Sequence, residues 1–284
     1  MRHGLKVTGS GIALAAALAG CSSGNSSSNA GSGGSSDGVH AVQAAYATTT
    51  AARTAKTTMK IQVKQGGAAA GQQLAVAATG GLNLTARSGA LKISLPQGVQ
   101  EQVVFAHKVA YEKLPAQALS QLGVRTPWIS IDLDRLAKAE TGSSLSQLQQ
   151  QAPNNPMDEL GYLKSASSKI TKVGTAKLDG AETTHYRVAL DLDKQKNLPA
   201  IKNLEKATGS HNLPAQVWID SAGRLRKLLL TEKLSKVGGT TAPNAAPVTV
   251  SINLGLSDFG APVAIDPPPS GQTTDVTAKL TAGH

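Results

Sequence analysis

The chain has 284 residues, with 28 Lys and Arg against 18 Asp and Glu, a formal charge of +10 and a single cysteine. One cysteine excludes an intrachain disulfide framework, and an aromatic content of 3% leaves few stacking platforms for a carbohydrate or a single-stranded nucleic acid. The basic excess suits anionic lipid headgroups and wall polymers, and equally a surface that is simply kept soluble; nucleic acid is not an expected partner.

Arg2, His3 and Lys6 precede an apolar stretch from Val7 to Ala19. At about a dozen residues it falls short of the roughly 20 that span a bilayer as a helix, so residues 1–20 are predicted to be a cleaved secretory signal. Leu18-Ala19-Gly20-Cys21 matches the lipobox of bacterial lipoproteins. Cys21 is therefore the expected lipidation site, its thiol converted to a diacylglyceryl thioether. That would hold the mature domain at the outer, extracytoplasmic face of the cell membrane, since two chains anchor durably where one does so only marginally. Residues 22–38 are nearly all Ser, Gly and Asn and predict a flexible tether reaching about 20–25 Å.

Residues 39–266 have the length of one sizeable domain. Residues 40–56 lack Gly and Pro, carry Val39, Val42 and Tyr46 at helical spacing, and predict a first helix. From residue 57 the period becomes two. Met59, Ile61 and Val63 alternate with Lys60, Gln62 and Lys64, and the beat recurs in Leu74, Val76 and Ala78; Leu82 and Leu84; Leu91, Ile93 and Leu95; Val103 and Phe105; Val109 and Tyr111. Gly66-Gly67, Gly80-Gly81, Ser88-Gly89 and Gln97-Gly98 read as the turns of an antiparallel meander.

Short helices are predicted over 115–122, 133–140, 145–151 and 157–166, with Asp132 or Asp134 and Ser143 or Ser144 as caps. Strands resume over 170–178, turn at Asp179-Gly180 and continue through Thr184, Tyr186, Val188, Leu190 and Leu192. A helix over 194–208 and a hairpin around Ser221-Ala222-Gly223 follow, then a last strand carrying Val248, Val250, Ile252, Leu254 and Leu256. Pro267-Pro268-Pro269 opens a polar tail, 267–284, expected to be disordered. Strands, then helices, then strands again predict an α+β domain in which helices cover one face of a single curved antiparallel sheet. Such a pairing can enclose an apolar cavity or be filled by packed side chains.

Two local signatures of catalysis are missing: there is no His-Glu-x-x-His and no Ser-x-x-Lys. His40, His107, His185, His211 and His284 are scattered singly, and His107 and His185 fall on the polar phase of their strands. Asp132 and Asp134 form the nearest acidic pair, better explained as a strand end and a helix cap. Asp258-Phe259-Gly260 shares only three letters with a kinase element. Arg224, Arg226 and Lys227, with Lys233 and Lys236 beyond, could meet phosphate or face solvent on an outer strand surface.

Four segments in this order carry a resemblance. They are the lipobox with its tether; Trp128-Ile129 before Asp132; Leu178-Asp179-Gly180 leading to Thr183-Thr184-His185-Tyr186-Arg187; and Val217-Trp218-Ile219-Asp220 leading to Gly223-Arg224-Leu225-Arg226-Lys227. With them the chain resembles the LppX/LprAFG family of actinobacterial lipoproteins, within the LolA-like carriers. The resemblance implies a half-barrel sheet with helices on its concave side around an apolar cavity. It also implies binding of an acylated lipid or glycolipid and its movement within the cell envelope; the motif survey points to a non-enzymatic role without cofactor or metal, and an envelope transporter is a possible partner. The alternating strands offer Met59, Ile61, Val63, Val76, Ile93, Leu95, Phe105, Tyr111, Tyr186 and Val188 as lining, with Leu160 and Leu163 from the helical insert. The competing expectation is a structural or sensory envelope lipoprotein that binds a protein or an anionic wall polymer through its basic face.

Overall fold

The computed structural model describes residues 34–65, 73–138, 160–191, 193, 210–234 and 248–281. The predicted signal segment, Cys21, most of the tether, the Gly66-Gly67 turn, the helices over 145–151 and 194–208, and Lys236 lie outside these residues. A helix, α1 (Gly34–Ala51), leads into strands β1 (Thr54–Gln65), β2 (Gln73–Asn83), β3 (Ser88–Ser94), β4 (Gln100–Ala106) and β5 (Val109–Lys113). Helix α2 (Ala116–Gln121), strand β6 (Trp128–Asp132) and helix α3 (Leu133–Lys138) follow. After a 3₁₀ turn at Tyr162–Ser165 come β7 (Ala166–Leu178), β8 (Ala181–Asp191), β9 (Asn212–Asp220), β10 (Leu225–Leu234) and β11 (Val248–Ser257), then β12 (Thr273–Asp275) and α4 (Thr277–Thr281).

The twelve strands of the described residues join one open, curved sheet in the order β12-β6-β5-β4-β3-β2-β1-β11-β10-β9-β8-β7. Every neighbouring pair is antiparallel except β12–β6. The predicted α+β class with one antiparallel sheet holds but for this pair. The exception arises because the chain leaves β11, crosses the sheet with residues 262–264, and enters beside β6 running in the same sense, as a parallel pairing requires of a crossover.

Alternation assigns each residue to a face. Ala55, Met59, Ala78, Leu82, Leu91, Ile93, Val103, Phe105, Val188, Ala215, Val217, Leu228, Leu230, Leu254 and Leu256 share one buried core on the concave side. There α1 packs Val42 and Ala45 into it, chiefly against β7. At the helix end, Leu225 N–H donates to Thr49 Oγ1 at 2.8 Å, both groups buried. The first helix thus begins earlier than the predicted 40–56, taking in 34–38 from the predicted tether. Gly38 lies where a Cβ would come within 3.1 Å of Ile170 Cγ2 and 3.5 Å of Tyr186 Cε1, so its bare backbone fits the helix to the sheet.

Three further expectations are corrected. Gly80-Gly81 and Ser88-Gly89 are not turns but lie inside β2 and β3. A Cβ on Gly81 would stand 2.8 Å from Val263 Cγ1, so that glycine admits the crossing segment, as glycine inside a strand commonly admits a second backbone. The β4–β5 turn is instead His107-Lys108, both at positive φ, so His107 is a turn residue and not a strand residue. Asp179-Gly180 turns as predicted, both residues at positive φ, joining Leu178 to its partner Ala181.

The tail is ordered through residue 281. Val276 is fully buried with Val124 and Ile129 in a small second core edged by Leu119, Leu122 and Leu280. Asp275 accepts Arg135 Nη1 at 2.8 Å and the Thr277 N–H at 2.8 Å, and Asp132 N–H donates to Thr277 Oγ1 at 2.9 Å. Three prolines start a segment that still carries an apolar anchor.

Gly81→Ala is expected to lower stability by about 1–3 kcal/mol, the usual cost of forcing a methyl into filled space. Urea unfolding of the single variant and of the Gly81→Ala/Val263→Gly pair checks this: the penalty should shrink in the pair, and equal penalties would deny the contact.

Candidate functional site

Registers place Ile61 beside Val76 on one side and Ile252 on the other, with Ile252 beside Leu230. One step along the strands, Val63 lies between Leu74 and Val250. These rows continue the concave core toward one end of the sheet, and their burial declines along the way. Met59, Ile93 and Leu254 are buried; Ile61, Val63, Val76, Leu95, Val250 and Ile252 are half-buried; Leu74 is 51% exposed. The apolar face therefore runs out of the packed core into an open strip.

The predicted lining residues divide into three groups. Ile61, Val63, Val76 and Leu95 stand in the strip, with Met59 and Ile93 at its inner margin. Phe105, Leu160, Leu163 and Val188 are buried core, and Tyr186 packs against that core next to α1. Tyr111 is a correction. It pairs with Val104 and Ser130, one residue out of phase with Val103 and Ala110, and so faces the convex side. Sequence inspection did not place Leu74, Val250 and Ile252 in the site, although they share the same apolar beat.

Carboxylates on the concave face were also missed. Glu101 is paired with Ile93, Glu112 with Val103 and Ile129, and Glu232 with Val250, all among apolar neighbours. Burial pushes the Glu101 and Glu232 carboxyls above the usual range. Burial, reinforced by the Glu101 charge, pushes Glu112 up to about 7. The signal was legible as a glutamate in the apolar phase of an alternating strand, as in Glu101-x-Val103-x-Phe105. A carboxyl that is neutral for part of its time near pH 7 can donate a hydrogen bond as well as accept one.

A second concavity lies on the convex face. A groove of about 600 Å³ runs between β1–β4 and the crossing residues Pro262, Val263 and Ala264, with Lys56 and Lys92 at its rim and Ala90 and Val104 in its floor. None of the predicted lining residues borders it. Lys56 is held by Asp258 at 2.7 Å, which keeps that carboxyl below its usual range. Asp258 and Gly260, both at positive φ, turn the chain at the end of β11, and the Phe259 ring lies under Arg224 at 4.7 Å and Arg226 at 5.4 Å.

The remaining chemistry-bearing residues have structural partners. Asp132 accepts the Arg135 N–H at 2.9 Å and Asp134 pairs with Lys108 at 2.8 Å, the cap and surface roles expected of them. His185 stacks on Trp218 with ring centroids 4.1 Å apart and meets Gln216 at 3.0 Å, while Lys227 lies 4.7 Å from the same indole. Among the described residues, no three His, Cys, Asp or Glu side chains come together in a way that could hold a metal ion.

A raised Glu112 pKa means that the folded chain holds this proton more tightly than the unfolded chain. Its contribution is fully present below about pH 4.5 and is lost as pH rises through about 7. The loss amounts to no more than about 3–4 kcal/mol. Calorimetric Tm should therefore fall between these pH values, and Glu112→Gln should flatten the profile and raise Tm above pH 7. Parallel profiles for the two proteins would contradict the assignment.

No protein-family model and no curated protein sequence matches this chain. Among solved structures it is similar to LprF from Mycobacterium bovis, at 13% identity over 83% of this chain and 98% of that one, with a TM-score of 0.44. It is also similar to the lipoprotein LppX from Mycobacterium tuberculosis, at 14% identity over 80% and 98%, TM-score 0.45. A LolA superfamily protein from Nitrosomonas europaea aligns at 10% identity over 81% and 96%, TM-score 0.27.

Proposed function

We propose that this chain is an extracytoplasmic lipoprotein, anchored to the cell membrane through Cys21, that takes acyl chains of a lipid or glycolipid onto its concave face. It hands them on within the envelope, to or from a transporter, without catalysing a reaction on them. The observation that carries this reading is the apolar strip of Ile61, Val63, Leu74, Val76, Val250 and Ile252, continuous with the core yet half-buried, and exposed at Leu74. Each methylene laid against such a surface contributes roughly 0.8 kcal/mol, so an acyl chain needs few polar contacts to be held. Glu101, Glu112 and Glu232 on the same face supply hydrogen-bonding groups for a hydroxylated headgroup. The tether would keep the strip within about 20–25 Å of the lipid source.

Native mass spectrometry before and after organic extraction tests the reading: extraction should remove an added lipid mass. A fluorescent fatty acid should then bind the stripped protein, and Ile61→Asp with Ile252→Asp should weaken it at least about tenfold, equivalent to roughly 1.4 kcal/mol. Absence of both bound lipid and probe uptake in the parent chain would overturn it.

A further inference from the structure

The lysines and glutamates of the central strands are sorted by face. In β1–β5, β10 and β11 the lysines are Lys56, Lys60, Lys64, Lys92, Lys113, Lys227 and Lys233, and the glutamates are Glu101, Glu112 and Glu232. Every one of these lysines occupies the convex phase of its strand and every glutamate the concave phase. One cross-strand row reads Lys113, Gln102, Lys92, Thr79, Thr58, Gly255, Lys227 and Trp218. A parallel row runs through Lys60, and a third joins Lys64 to Lys233 by way of Thr249. Among the described residues, Lys60, Lys64, Lys92, Lys113 and Lys233 are exposed and make no salt bridge.

From this sorting we propose that the convex face docks on an anionic lipid bilayer. The cations form a two-dimensional array spread over many strands about 4.8 Å apart, which matches a charged plane better than a linear chain of charges. Past residues 262–264, which cross this face beside Lys56 and Lys92, a plane meets a convex sheet first at its crest. The middle of the sheet is β1, whose Lys60 and Lys64 stand on that crest about 13 Å apart at two residues per repeat. Both tryptophans of the chain lie in the same convex phase, Trp128 beside Lys113 and Trp218 beside Lys227, and indoles favour the boundary between headgroups and water. Each lysine brought to an anionic surface is worth about 1 kcal/mol, or roughly fivefold in affinity. The concave strip stays free in this orientation, so the surface does not depend on the lipid-carrier reading.

The test uses the mature chain, residues 21–284, with Cys21→Ser, so that neither the signal segment nor an acyl anchor contributes, in co-flotation with vesicles. The chain should float with vesicles of equal phosphatidylglycerol and phosphatidylcholine, fail to float with phosphatidylcholine alone, and be released by high salt. Lys60→Gln/Lys64→Gln/Lys92→Gln should lose about a hundredfold in affinity at unchanged Tm, the product of three fivefold steps, while Lys177→Gln on β7 should match the parent. Equal flotation with neutral vesicles, or an unaffected triple variant, would overturn the proposal. Binding of soluble polyphosphate without flotation would overturn it in favour of an anionic polymer.

Discussion

Strand β1 sets the direction in which the whole sheet faces. It is paired along ten residues with β11 and along eleven with β2, and its sequence alternates Met59, Ile61 and Val63 with Lys60, Gln62 and Lys64. A shift of one residue would put three lysines into the core and the apolar set into water, so the register is held by burial as much as by hydrogen bonds. Everything outward from β1 inherits this choice. Ala78 and Ile93 follow Met59 on one side, Leu254 and Leu228 on the other, and the lysines of β3, β5 and β10 follow Lys60 onto the opposite face.

The same partition gives the two faces different chemistry. The concave side is packed under α1 around Val42, Ala45, Leu190 and Val217 and opens gradually toward Val63 and Val250. Its carboxyls are raised by burial, Glu112 most clearly. The convex side keeps most of its lysines exposed, with acids at its margins: Asp132 and Asp275 at the β6–β12 edge, Asp220 bound to Arg224 at 2.9 Å, and Asp258 bound to Lys56. A lipid-facing apolar surface and a headgroup-facing basic surface can thus sit on one layer of strands.

Much of this was legible in local sequence. Two-residue alternation located the strands, Asp179-Gly180 marked the β7–β8 hairpin, and the segment around Ser221 marked the next, where buried Asp220 accepts the Ala222 and Arg224 N–H groups. What escaped depends on distant partners. Gly80-Gly81 looks like a turn until Val263 is known to lie against it, and His107-Lys108 turns although neither residue advertises a positive φ. The tail after Pro267 looks disordered until Val276 finds Val124 and Ile129. Tyr111 joined the lining list because alternation in one strand gives a period but no absolute face; only its pairing with Val104 fixes the phase. The concave glutamates were readable in principle, since each breaks the apolar beat of its own strand.

The central claim is that the strip at Ile61, Val63, Val76 and Ile252 is where an acyl chain lies. Photocrosslinking with a fatty acid that carries a diazirine near its methyl end, followed by peptide mapping, addresses this most directly. Adducts should concentrate on concave positions of β1, β2 and β11. Adducts confined to convex residues around Ala90, Val104 and Val263 would place the lipid in the other groove and contradict the account.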